Sequence, residues 1–134
     1  MQTINLPKVL VVDDNQDNAN IIRQYLELVC GYPIVVAYDG EEAIRVFESE
    51  RPGIVLLDVM MPGRDGWEVC RMMKDHEELG RTIRVIMVTA LDDVANKHQA
   101  LQTGADDFLE KPFDLTKLAA TVRRNAAALS KLVA

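Results

Sequence analysis

At 134 residues and 49% hydrophobic, the chain is long enough to bury one core and too short for two. Its formal charge of −6, with fifteen scattered basic residues whose only adjacent pair is Arg123-Arg124, excludes a broad phosphate-neutralising surface and hence nonspecific nucleic-acid binding. There is no basic, apolar leader and no run of about 18 apolar residues, so neither export nor a membrane span is expected and a cytoplasmic protein follows.

The first seven residues read as a short ragged extension, and 8–132 as one domain. A first apolar run, 8–12, ends in Asp13-Asp14-Asn15. It leads into a helix capped by Asn15 or Asp17, with Ile21, Ile22, Tyr25, Leu26 and Val29 on one face. Asn15 and Asn18 at its start lie beside the end of that first strand. The second run, 33–37, ends without reactive groups at Ala37-Tyr38, and Asp39 caps a helix over 41–49. The third run, 53–57, ends on Asp58; Pro62-Gly63 then turns the chain, and Asp65 caps a helix over 66–79. The fourth, 83–88, ends at Thr89 and precedes a helix over 92–103, capped by Asp92 and closed by a left-handed Gly104. Its apolar face is thin, mainly Val94 and Leu101, which predicts a loosely packed element. The fifth, 105–109, runs into Lys111-Pro112, and a last helix carries Leu115, Leu118, Ala119, Val122 and Leu129 on one side.

Other residues have bland readings. Cys30 and Cys70 lack metal-motif spacing and read as reduced packing residues. His76 and His98 stand in polar helical surroundings and read as solvated. Trp67 with Met60, Met61, Met72 and Met73 reads as core filling ahead of an apolar contact patch.

Five alternations of strand and helix, with strands apolar throughout, predict a parallel sheet covered on both faces and wound in both directions. In such sheets ligands bind outside the carboxyl ends of the strands. There the sequence places Asp13, Asp14, Asp58, Thr89 and Lys111. Taken singly these are ordinary: an Asp pair caps helices, and a Thr or Lys at a strand end is common. Together they make a site. Carboxylates held close repel one another unless they share a cation, and an all-oxygen set favours Mg²⁺ (or Mn²⁺), which also recruits a phosphoryl group. Lys111 and Thr89 supply a charge and a hydroxyl for phosphoryl oxygens, leaving Asp58 as nucleophile.

The segments VLVVDDN at 9–15, DGEEA at 39–43, VLLDVMMPGRDGWEVC at 55–70, VIMVTA at 85–90 and GADDFLEKPF at 104–113 resemble, in order, the receiver domain of two-component response regulators. The resemblance implies a flavodoxin-like (βα)5 fold with strand order 2-1-3-4-5. It implies a phosphoacceptor at Asp58, served by a sensor histidine kinase or histidine phosphotransfer protein, in a switch that is not an enzyme. Asp14 would bind Mg²⁺ directly, Asp13 chiefly through water, with Asp58 and the Met60 backbone carbonyl completing the protein's ligands. Lys111 would pair with the acceptor and then with the phosphoryl group, next to a cis bond to Pro112. Thr89 and Phe108 hold the switch positions; Phe108 stands where a tyrosine is common and offers no hydroxyl. The signal would appear on the surface of the fourth helix, fifth strand and last helix, which controls an unknown partner or output domain, and a homodimer through that surface is among the arrangements the resemblance allows.

Three other readings compete. An aspartyl-phosphate phosphatase of the haloacid-dehalogenase type carries a second Asp two residues after its nucleophile, where this chain has Met60. A flavin carrier needs a hydroxyl- and glycine-rich phosphate loop after the first strand, where this chain has Asp13-Asp14-Asn15. A degenerate receiver, kept only for binding, would lack one of the acids, the Thr or the Lys.

Overall fold

The computed structural model describes residues 6–61, 65–90 and 102–132, with Leu132 described by its backbone alone. Its elements are β1 (Val9–Val12), α1 (Gln16–Tyr25), β2 (Ile34–Ala37), α2 (Gly40–Glu50), β3 (Ile54–Asp58), α3 (Gly66–Lys74), β4 (Arg84–Thr89), β5 (Asp107–Glu110) and a last helix (Leu115–Leu132). The strands form one parallel sheet in the order β2-β1-β3-β4-β5, as expected.

Burial explains the order. β1 and β3 are the central strands and are buried along their whole length, whereas the edge strand β2 is half-buried up to Ala37. Alternate residues of one strand feed two cores. Leu10, Val55 and Met87 pack with Phe47 of α2 and with Trp67, Cys70 and Met73 of α3. Val9, Leu56 and Ile86 pack with Leu26 and with Leu118, Val122 and Leu129 of the last helix. Each such side chain contributes roughly 2 kcal/mol on removal from water. The expected core role of Trp67 and Met73 holds, while Met60 at 75% and Met72 at 38% are exposed. No helix among the described residues is long and apolar enough to cross a membrane.

The helix starts follow the capping residues. Asn15 accepts from the Asn18 amide, Asp39 from Glu42 and Asp65 from Trp67, satisfying donors that a helix N-terminus leaves unpaired. Gly104 adopts a φ of +85°, as anticipated for a left-handed end.

Three expectations need correction. The helix begun by α1 continues over Leu26–Cys30 with π-helical winding, and this wider turn moves Val29 off the core face. Leu26 is buried and Ile22 and Tyr25 pack on the core, but Ile21 and Val29 are 52% and 55% exposed. The helix expected over 66–79 stops at Lys74. His76 is the cause: its Nδ1 accepts from the amides of Glu78 and Leu79, diverting them from helical bonding into a turn that ends in a 3-10 segment, Gly80–Thr82. His76 is therefore a half-buried, hydrogen-bonded residue set edge-on to Phe47, and the solvated reading was wrong. The turn at Pro62-Gly63, residues 92–101 of the helix expected over 92–103, and with them His98, lie outside the described residues.

Candidate functional site

The sheet brings its carboxyl ends together as the topology requires. Asp58 is the last residue of β3 and pairs in register with Val88, one position before Thr89. Asp13 follows β1, and its amide donates to the Ala37 carbonyl of β2. Lys111 follows β5, and its amide donates to the Thr89 carbonyl at 2.9 Å. Asp13, Asp58 and Thr89 are buried, at 7%, 4% and 3% exposure, while Asp14 is exposed.

Asp58 is fully engaged in this state. Its Oδ2 accepts from Lys111 Nζ at 2.8 Å, and its Oδ1 accepts from the Met60 amide at 2.9 Å. Carboxylate oxygens of Asp13, Asp14 and Asp58 lie within 4.8 Å of one another. Burial pushes the Asp13 carboxyl above its ordinary range, and the neighbouring charges of Asp58 and Asp14 push the same way; the Asn15 amide and Lys111 oppose them. Among the described residues, three acids face one ammonium. The cluster is short of positive charge, and its oxygen-only donors have the chemistry of a Mg²⁺ site.

The expected residues therefore converge, with two qualifications. Met60 enters through its backbone amide, and its side chain points to solvent. Phe108, in register with Met87, is half-buried and packs on the core shared with α2 and α3. The Lys111-Pro112 peptide is cis, as the resemblance implied.

Two features were not foreseen. Gly66, the first residue of α3, sits so close to the strand end that a Cβ there would lie 2.7 Å from the Asp58 carbonyl oxygen and 2.9 Å from Val59 Cα. Only a residue without a side chain lets α3 start against the end of β3 at Asp58. The second feature is an apolar cleft of about 920 Å³ that runs from Asp58 and Lys111 between α1 and the start of the last helix, along Ile21, Ile22, Phe113 and Leu115. Asn18 lines it, whereas Asn15 is occupied as the cap. The adjacent pair Ile21-Ile22 signalled it, since it widens the apolar arc of α1 beyond the stripe one core contact needs.

Cys70 is buried, and burial pushes its thiol up to about 11; it and the half-buried Cys30 are free. These thiols pack.

Comparison with known proteins agrees with this geometry. The family model of the response regulator receiver domain matches residues 9–123. A curated relative, a probable transcriptional regulator (ycf27) of Cyanophora paradoxa, is 44% identical over 120 residues, covering 90% of this chain and 48% of its own length. The chain thus spans about half of that relative. Among solved structures, a putative response regulator from Chloroflexus aurantiacus is 32% identical with a TM-score of 0.83, over 92% of this chain and 99% of the other. The signal receiver domain of a signal transduction histidine kinase from Syntrophus aciditrophicus is 36% identical with a TM-score of 0.82, over 91% of each chain. The match over residues 9–123, which takes in all five strands, makes this chain a member of the response regulator receiver family.

Proposed function

We propose that Asp58 accepts a phosphoryl group from a phosphohistidine on a sensor histidine kinase or histidine phosphotransfer protein, and that residues 8–132 form the receiver domain behind a short extension, 1–7. The observation that carries this reading is the contact of Lys111 Nζ with Asp58 Oδ2 at 2.8 Å inside a cluster of three converging carboxylates. A carboxylate oxygen of Asp58 attacks phosphorus, the bond to the donor nitrogen breaks, and the imidazole leaves with the electron pair. Lys111 is released from the carboxylate and pairs with a phosphoryl oxygen, and the Thr89 hydroxyl takes another. Mg²⁺ held by Asp13, Asp14, Asp58 and the Met60 carbonyl would neutralise charge on the equatorial oxygens.

The added group brings roughly −1.5 to −2 charges into a buried site. Movement of Thr89 toward it leaves room for Phe108 to turn inward, changing the surface around β5 and the last helix. That surface then controls a partner or attached output domain, and a homodimer through it is one form the output could take. The chain is a switch and turns over no separate substrate. The two free thiols fit a reducing, cytoplasmic setting.

The test is incubation with acetyl phosphate and Mg²⁺ followed by intact mass. The parent should gain one phosphoryl group and Asp58→Asn none. Equal gain in both would remove Asp58 from the acceptor role.

A further inference from the structure

The last helix presents a core-facing stripe of Leu118, Val122, Asn125 and Leu129, and the polar member of that stripe is fully buried at 0% exposure. Burying an amide is costly unless each of its groups is bonded. Here they are. Asn125 Nδ2 donates to Asp107 Oδ2 and to the Thr121 carbonyl, each at 2.8 Å, and its Oδ1 accepts from Arg84 Nε at 3.0 Å. One side chain of the last helix thus grips the first residue of β4 and the first residue of β5.

Asp107 passes the grip on. Its Oδ1 accepts from the Phe108 amide at 2.8 Å, so the carboxylate that holds Asn125 also fixes the backbone of the switch-position aromatic. Among the described residues β5 is an edge strand, paired with β4 alone, and its far end is tied to Asp58 by the Lys111 contacts. A strand held at both ends transmits a change at one end to the other, because its backbone cannot absorb the change by slipping. An apolar residue at 125 would fill the space but would bind neither strand. A satisfied buried polar group specifies one arrangement where an apolar contact would permit several.

We infer that Asn125 is a positioning residue that couples β5 to the last helix, so that rearrangement at Phe108 reaches the helix through Asp107. The inference rests on the phosphoacceptor reading, and its experiment separates the two. Amide resonances of ¹⁵N-labelled protein are followed as beryllofluoride and Mg²⁺ are added. In the parent, resonances at Thr89 and Lys111 should move, and so should those of Ala126 and Ala127. In Asn125→Leu the shifts at Thr89 and Lys111 should remain while those at Ala126 and Ala127 are lost. A native-like Asn125→Leu protein with an undiminished helix response would overturn the coupling. If that variant does not fold, Asn125→Ser, which reaches neither strand, decides by the same criterion. A parent that shows no shift at Thr89 or Lys111 defeats the phosphoacceptor reading, and the coupling with it.

Discussion

Two pairs of adjacent aspartates stand at opposite ends of the sheet, and their surroundings have opposite signs. Asp13-Asp14 meets Asp58 with, among the described residues, a single ammonium for the three acids, and Asp13 is pushed upward in pKa by burial and by like charges. Asp106-Asp107, at the start of β5, meets an excess of donors. Asp106 accepts from Lys74 Nζ and the Val85 amide and lies 3.6 Å from Arg84. Asp107 accepts from Arg124, Asn125 and the Phe108 amide. Burial pushes Asp107 up, but the bonds from Arg124, Asn125 and Phe108 outweigh it and hold the carboxyl below its ordinary range. The same dipeptide is a cation-seeking site at one end and a staple at the other. What decides is how many donors the fold has already supplied.

Removing an acid from each pair should therefore act in opposite directions. Asp107→Ala leaves the buried Asn125 amide short of an acceptor and frees Arg124, and should destabilise the protein by about 3 kcal/mol in urea denaturation. A loss under about 0.5 kcal/mol would erase the contrast. Asp13→Asn keeps an oxygen for the Asn15 amide while removing a buried charge among like charges. Without metal it should gain about 1 kcal/mol. Mg²⁺ should raise the Tm of the parent and do so less for this variant, because binding stabilises only the state that holds the ion. A destabilised Asp13→Asn protein would show that the acid cluster is already balanced.

The smallest effect is in the acid limb of the stability curve. The folded-state pKa of Asp107 is depressed, so its contribution is complete above the unfolded carboxyl value of about 3.9 and is lost as pH falls through the lower folded value. Asp107→Asn should be less stable than the parent near neutrality, and the gap should narrow below about pH 4. A gap constant with pH would mean that the charge of Asp107 contributes nothing.

Much of this was legible in the sequence, and for a physical reason. Central strands buried on both faces leave continuous apolar runs, so an acid, a Thr or a Lys at the end of a run stands out, as Asp13, Asp58, Thr89 and Lys111 do. Caps were legible because Asn15, Asp39 and Asp65 act on amides two or three residues away. The misreadings came from interactions that periodicity does not encode. Nothing in the spacing of α3 says that His76 will take two amides from the next turn, nor that winding will widen after Tyr25. The clamp joins Arg84, Asp107 and Asn125, which are 18 and 41 residues apart in their contacts. Its one trace was an asparagine in an apolar stripe, a position where polarity must be answered from elsewhere in the chain.

Gly66 sets a limit of a different kind. The acids around Asp58 can be exchanged one at a time at a chemical cost, since each is one carboxylate among several. Gly66 has no polar group to exchange: a Cβ there would lie only 2.7 Å from the Asp58 carbonyl oxygen, closer than a side-chain carbon can stand. Any substitution inserts a wedge between α3 and the end of β3 and displaces Asp58 bodily, with every ionisable group intact. The site can thus be undone at a residue that takes no part in its chemistry.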